Sequence, residues 1–458
     1  MKIVICGAGE VGGNLASFLC TESNDITVID NNAKIINEIN QREDVRGITG
    51  HASHPDVLKK ADAGNADMII AATQSDEINM VTCQMAHTLF NVPKKIARIR
   101  SQIYRDPSWG NLFASEHMPI DVIISPEMEV ARAISERLTV PGAFNVMTFE
   151  KDIVRIIGVI CRDDCPVLNT PLQHFQNLFP DLDFKIVTII RDGVSFVPEF
   201  DEQILAGDEI YFIARSEQVS RIMNVFGFEQ PEARKIIIIG GGNIGYGLAN
   251  MIKTAQPKTT LKIIEFDRER AIHLNESLPD ILTINGNALK AEILDEVNIG
   301  AAETVIAVTN DDETNILVGL LAKQRGAGRS ISLINKSSYG PIIPNLGLDA
   351  VVSPRSITVS TILQHIRRGK IKAIRKLRQG SAEILEFEAA DKSKIVNIPY
   401  KDLVLPDGSD ICALIRDNDV IIPEPNTEIK PNDKVIFINL DNEPQVIEEL
   451  LAPKDRYY

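Results

Sequence analysis

Residues 2–19 read KIVICGAGEVGGNLASFL, and residues 235–252 read KIIIIGGGNIGYGLANMI. Each stretch is a short apolar run of the kind a buried strand uses, followed by a glycine-rich turn and an apolar-periodic segment. Each carries the spacing G-x-G-x-x-G, as Gly7, Gly9 and Gly12 and again as Gly240, Gly242 and Gly245. Strand, glycine turn and helix in that order is the context that gives this otherwise weak motif meaning. The first glycine permits the tight turn, the second lets a pyrophosphate approach the backbone, and the third lets helix and strand pack closely. Amides at the helix N-terminus then face the phosphates, and the helix dipole favours their negative charge.

The second strand of each unit ends in an acid. DITVID ends at Asp30, 18 residues after Gly12, and LKIIEFD places Glu265 20 residues after Gly245. A carboxylate there accepts hydrogen bonds from ribose hydroxyls and repels a 2′-phosphate, which favours NAD or an adenine nucleotide over NADP. The competing reading is that Asp30 only caps the turn that follows it.

The duplication extends far beyond the loops. ITGHASHPDVLKKADAGNADMIIAATQSDEINM (48–80) aligns with INGNALKAEILDEVNIGAAETVIAVTNDDETNI (284–316), so that Gly50, Thr73, Asp76 and Asn79 fall on Gly286, Thr309, Asp312 and Asn315. IARIRSQIY matches ISLINKSSY, and DVIISP matches DAVVSP. Further on, IIRDGVSFVPEFDEQILAGDEIYFI (189–213) resembles LIRDNDVIIPEPNTEIKPNDKVIFI (414–438), setting Arg191 on Arg416. A unit this long is not a solenoid repeat; it is a tandem duplication of a two-domain module.

The two parts of each module have different periodicities. Residues 1–135 alternate strand and helix patterns, which predicts a doubly wound parallel sheet covered on both faces. Residues 140–228 read as short strands with turn signals and a terminal helix, an α+β pattern. The second module repeats both parts, at 232–360 and 368–458. The expected fold is therefore α/β: a Rossmann-like nucleotide-binding domain followed by a small α+β domain, in tandem.

Composition narrows the function. The chain has 458 residues, 44% hydrophobic and 24% charged, which fits roughly three to four globular domains. A net charge of -15 argues against nucleic acid as a partner, because that affinity comes from neutralising phosphates with Lys and Arg. No apolar run approaches the roughly 20 residues of a membrane helix, and the N-terminus starts directly on a strand, so a cytoplasmic protein is expected. Among the six cysteines only Cys161 and Cys165 are close. Their spacing is poor for a metal, and packed, reduced thiols are the expectation.

Thr73-Gln74 and Thr309-Asn310 follow the fourth strand of each sheet. Ligands in open α/β sheets lie outside the carboxyl ends of the strands, where strand order reverses, so these pairs should reach the ligand edge. Asp76 and Asp312 begin the next helix and could simply cap it. The halves differ where ARIR sets Arg98 and Arg100 on one side of the sheet. Arginine suits phosphate, and the second half has Leu333 and Asn335 instead. The first site should then prefer the more highly charged ligand, unless the arginines are mere surface charge. A dehydrogenase would need a proton donor beside its substrate. No Tyr is followed by Lys four residues on, and no His recurs between the halves, so catalytic residues are not expected.

The order KIVICGAGEVGGNLA, TVID, ITG, MIIAAT, DEIN, RIR, DVIISP, followed by a small α+β domain and repeated once, resembles the peripheral-protein family of Trk potassium-uptake systems. Its units are similar to the domains that regulate conductance of potassium (RCK domains). That resemblance covers nearly the whole chain. It implies a non-enzymatic regulatory subunit on the cytoplasmic face of the inner membrane, docked on a potassium-translocating, TrkH-like membrane subunit. It also implies a homo-oligomeric ring, a tetramer, whose ligands are NAD(H), ATP and ADP. Site positions carried over are Gly7, Ala8, Gly9, Glu10, Val11, Gly12, Asp30, Thr73, Gln74 and Arg98, then Gly240, Gly241, Gly242, Asn243, Ile244, Gly245, Glu265, Thr309 and Asn310. Related domains often place Asp after the glycine that ends the third strand, where this chain has His51 and Asn287. The basic run RRGKIKAIRKLRQG (367–380) reads either as a solvated face or as a contact with the membrane partner or anionic lipid.

Overall fold

The computed structural model describes residues 1–20, 24–42, 45–101, 103–105, 107–114, 116–229, 233–339, 342, 346–366, 371–377, 382–391 and 393–440. Within the basic run, 367–370 and 378–380 lie outside the described residues, as does the whole of 441–458, where the terminal helix of the second small domain is expected.

The first sheet is built from β1 (Lys2–Cys6), β2 (Asp25–Asp30), β3 (Arg46–Thr49), β4 (Met68–Ala71), β5 (Lys94–Arg98) and β6 (Val122–Ile124). Its helices are α1 (Glu10–Cys20), α2 (Ala33–Arg42), α3 (Pro55–Lys60), α4 (Asp76–Phe90) and α5 (Pro126–Leu138). All neighbouring strands are parallel, in the order β3-β2-β1-β4-β5-β6. Helices on both faces explain why β1 and β4 are near-continuous apolar runs with no alternation.

The small sheet that follows holds β7 (Asn145–Phe149), β8 (Val154–Ile160), β9 (Phe184–Arg191), β10 (Val194–Phe196) and β11 (Glu209–Arg215), with α6 (Phe175–Leu178) and α7 (Val219–Val225). It is antiparallel throughout, in the order β10-β9-β11-β8-β7.

The second module repeats the plan. Its parallel sheet comprises β12 (Lys235–Ile239), β13 (Thr260–Glu265), β14 (Leu282–Asn285), β15 (Thr304–Ala307), β16 (Arg329–Leu333) and β17 (Ala350–Val352). The accompanying helices are α8 (Asn243–Ala255), α9 (Arg268–Ser277), α10 (Ala291–Glu296), α11 (Asp312–Gln324) and α12 (Pro354–Ile366). Strand order is again doubly wound, β14-β13-β12-β15-β16-β17. The last sheet has β18 (Ile371–Lys376), β19 (Glu383–Glu388), β20 (Ser409–Arg416), β21 (Asp419–Ile421) and β22 (Lys434–Asn439). Its order, β18-β19-β22-β20-β21, mirrors the first small sheet strand for strand.

Two compact units emerge, and chain order does not predict them. One comprises residues 1–129 together with α12; the other comprises the remainder. In the first unit α12 packs on α1 and β6, and its Val359, Ile362 and Leu363 share a core with Ile3, Leu15 and Leu19. In the second unit the end of α5 is tied to the second parallel sheet. Arg137 donates to the Val351 carbonyl at 3.3 Å, while Arg329 donates to the carbonyls of Arg137 and Ala143. The helix that follows the second parallel sheet thus packs on the first, whereas the helix that follows the first is hydrogen-bonded to the second only at its end. Among the described residues, no helix is long and apolar enough to cross a membrane.

Candidate nucleotide sites

Gly7 and Gly240 have φ of +103° and +101°, a left-handed backbone that glycine adopts without strain. Each also touches the turn after the neighbouring central strand: a Cβ on Gly7 would lie 2.9 Å from the Thr73 amide, and on Gly240 3.0 Å from that of Thr309. A Cβ at Gly12 would come within 1.8 Å of the Gly7 carbonyl oxygen, and at Gly245 within 2.0 Å of that of Gly240. The middle glycines differ: beside Gly9 and Gly242 a Cβ would meet nothing within 4 Å. Two glycines of each motif therefore serve internal packing, and the middle one leaves an open approach to the backbone.

The acids close the cradle. Asp30 Oδ2 accepts from the Ala8 amide at 2.7 Å, and Oδ1 from the Asn32 amide at 2.8 Å. Glu265 does the same, with Oε2 on the Gly241 amide at 2.6 Å and Oε1 on that of Asp267 at 2.8 Å. Each carboxylate holds the turn after its own strand and the glycine loop together, so neither is only a cap of the following turn. Glu10, Asn243, Val11 and Ile244 occupy the first turn of the helices that the loops open.

Asn79 explains the conformation of the opposite wall. Its Oδ1 accepts from the Thr73 amide at 2.9 Å and hydroxyl at 2.7 Å, while its Nδ2 donates to the carbonyls of Thr73 and Arg98. Asn315 repeats all four bonds, with Thr309 and Leu333. Both asparagines are fully buried. Gln74 and Asn310 are exposed beside these clamps.

The capping reading of Asp76 and Asp312 is corrected. Ser75 and Asp311 are the N-caps, accepting from the amides of Ile78 and Thr314. Asp76 instead accepts from the amides of Arg100 and Ser101, and Asp312 from those of Asn335 and Lys336. These buried carboxylates fix the turn after the fifth strand.

The walls diverge at Arg98 and Arg100. Both approach Glu127 Oε1, at 3.5 and 2.9 Å. Glu127 was not identified from sequence; the signal was the change from SPE to SPR, which puts Arg355 at the matching position. Burial pushes the Arg98 guanidinium below the usual arginine range, and Glu127 opposes the shift. Arg98 Nε, Glu127 Oε2 and Ser125 Oγ are buried without a hydrogen-bond partner among the described residues. The second loop has its own cation: Arg270 donates to the Gly241 carbonyl at 2.8 Å and lies over the Tyr246 ring. Its position corresponds to Ile35, so comparing the halves after the acid would have found it.

Two doubly wound sheets, each with a glycine loop at its switch point and each followed in sequence by a small antiparallel sheet, define a tandem α/β chain of the nucleotide-binding type. The comparisons agree: the chain matches the TrkA-N domain at residues 3–126 and 236–354 and the TrkA-C domain at 156–227 and 384–451. It is 44% identical to the Trk system potassium uptake protein TrkA of Azorhizobium caulinodans, over 98% of each chain. It is 38% identical to that of Vibrio alginolyticus, over 99% of each. The chain belongs to the TrkA family of Trk-system potassium uptake proteins. Among solved structures, the GsuK RCK domain covers 98% of this chain, and 94% of its own length is matched, at 18% identity and a TM-score of 0.62. The GsuK channel bound to NAD covers 98%, and 78% of that chain is matched, at 17% identity and 0.62. These likenesses show the RCK fold.

Proposed function

We propose that this chain is the cytosolic regulatory subunit of a potassium uptake transporter, and that it reads nucleotides through two unequal sites. The carrying observation is the repeated cradle of glycine loop, acid and asparagine clamp around an open middle glycine, with different charge on its far wall. Gly7–Gly12, Asp30, Thr73, Gln74, Arg98 and Arg100 would hold one ligand; Gly240–Gly245, Glu265, Thr309 and Asn310 the other. NAD(H), ATP and ADP are the ligands that fit. An acid at the strand end suits an unmodified ribose, loop amides suit phosphate, and the Arg100 side chain, 44% exposed beside Arg98, offers a cation for it.

The four segments 1–135, 140–228, 232–360 and 368–458 serve as working domains. The small ones would pass the ligand state to a TrkH-like membrane subunit, with chains assembled as a tetrameric ring on the inner membrane. A ligand shifts such an assembly only by its difference in affinity for two shapes.

The test is calorimetric titration of NADH, NAD, ATP and ADP into wild type, Asp30→Asn and Glu265→Gln, which keep an acceptor for the loop amide but remove the charge, with the alanine variants alongside. Loss of a different binding event from each carboxamide variant is the expected result. Unchanged titrations in all four variants would refute nucleotide sensing through these loops.

A further inference from the structure

The two small domains face each other within the second compact unit through one continuous core. It draws Ile156, Val187 and Tyr211 from the first domain and Ile384, Cys412 and Ile436 from the second. These are the same three positions in the two copies. The correspondence is fixed by internal landmarks. Arg191 pairs with Asp208 as Arg416 pairs with Asp433, through the same two guanidinium nitrogens. The strand register also agrees, with Phe212 opposite Ile186 and Phe437 opposite Ile411. The interface is therefore of the self-complementary type that a two-fold homodimer would use, made here by two copies in one chain.

In that alignment Lys185 corresponds to Asp410, and the two residues meet where β9 packs on β20. Lys185 Nζ lies 2.7 Å from Asp410 Oδ2 and donates to the Tyr400 hydroxyl at 3.0 Å and the Ile411 carbonyl at 2.9 Å. The Tyr400 hydroxyl donates to Asp410 Oδ1. The Lys185 and Asp410 side chains are 22% and 12% exposed. Burial opposes the Lys185 charge most strongly, but Asp410 and Tyr400 together outweigh it and hold the ammonium above its usual range.

We infer that Lys185 and Asp410 select the pairing of the two small domains, closing first on second and excluding first on first or second on second. The apolar face is shared by both copies and cannot by itself distinguish these arrangements. Discrimination needs a penalty on the wrong partner. A residue that meets its own counterpart sits at the symmetry axis, so a first-on-first pair would bury Lys185 against Lys185, and a second-on-second pair Asp410 against Asp410. Buried like charges have no compensation. A second contact points the same way: Lys434 pairs with Glu150, and the first-domain counterpart of Lys434 is Glu209, so a first-on-first pair would set two carboxylates together. In an assembly of several copies, this device keeps each chain's small domains from being exchanged with a neighbour's.

The full chain tests this in four variants, read by thermal midpoint and by native mass spectrometry over a concentration series. Lys185→Asp or Asp410→Lys alone should lower the midpoint, and Lys185→Asp with Asp410→Lys should restore it with wild-type masses. The decisive variant is Lys185→Met with Asp410→Met, because apolar replacement of a buried ion pair commonly preserves stability while removing the selection. It should keep the midpoint and yet form concentration-dependent species heavier than the wild-type assembly, at roughly tenfold the wild-type share. Wild-type masses in a folded methionine variant would overturn the inference. Should that variant fail to fold, a reversed pair that recovers neither midpoint nor mass would overturn it as well.

Discussion

The two candidate cradles share their glycine turns, acid bonds and asparagine clamps and differ in charge. Gly7 and Gly240, Asp30 and Glu265, and Asn79 and Asn315 reproduce one another to within tenths of an ångström. The wall beside them is Arg98, Arg100 and Glu127 in one copy and Leu333, Asn335 and Arg355 in the other. The two copies keep what the loop needs in order to exist and differ in the side chains proposed above to set ligand preference. Conformation here depends on backbone atoms with no tolerance for change, whereas the wall is made of side chains that differ without altering the loop.

The largest expected effect should ignore the difference between the copies. Gly12→Ala and Gly245→Ala each drive a Cβ into a backbone carbonyl, so each should destabilise by about 3 kcal/mol or more and abolish binding at its own loop. Gly9→Ala and Gly242→Ala meet open space. They should fold with wild-type midpoints and weaken phosphate binding only, as melting curves paired with titration will show.

Next come the clamps. Asn79→Ala and Asn315→Ala strand a buried amide and carbonyls, at about 2–3 kcal/mol each by denaturant unfolding. A marked inequality between the two would break the claim that the two asparagine clamps are equivalent.

Arg98→Leu with Arg100→Asn gives the first wall the residues of the second. It should remove about 1.5–3 kcal/mol from binding of the more highly charged nucleotide at the first loop, roughly ten- to a hundredfold in Kd, and leave the second loop untouched. Equal losses for ATP and NADH would show that the arginines do not discriminate by charge.

The smallest effect compares the two small domains. Cys161 and Cys165 have sulfurs 3.9 Å apart, where the second domain has Ala389 and Ser393 on the same turn. The contact between the two sulfurs lowers the Cys165 thiol and raises that of Cys161. Thiolate should therefore form first at Cys165 as pH rises, and its alkylation, followed by peptide mass, should set in at lower pH than that of the other buried cysteines. Cys6, Cys83 and Cys412, pushed up by burial, should lag far behind. Packed, reduced thiols were the sequence expectation; five of the six cysteines are buried and Cys20 is half-buried, with Cys165 set apart by its neighbour Cys161.

Much of this was legible in the chain because it is local. Gly7 had to be glycine for its φ, Asp30 had to follow a strand at a set distance, and both signals recur at fixed offsets. The role of Asp76 was not legible, because a first-turn acid looks the same whether it caps its own helix or holds the turn after another strand. Glu127 was missed for a related reason: it lies 27 residues from Arg100, and only the pairing of β5 with β6 brings them together.

The sequence alone thus determined that each module pairs a doubly wound parallel sheet with a small α+β domain, the two glycine loops and the duplication, since periodicity and turn chemistry act over neighbouring residues. The tertiary structure alone decided that α12 covers the first sheet, that Glu127 holds both arginines, and that Lys185 meets Asp410. Those contacts join segments up to hundreds of residues apart, and their energy comes from faces and charges that no local pattern specifies until the sheets have formed.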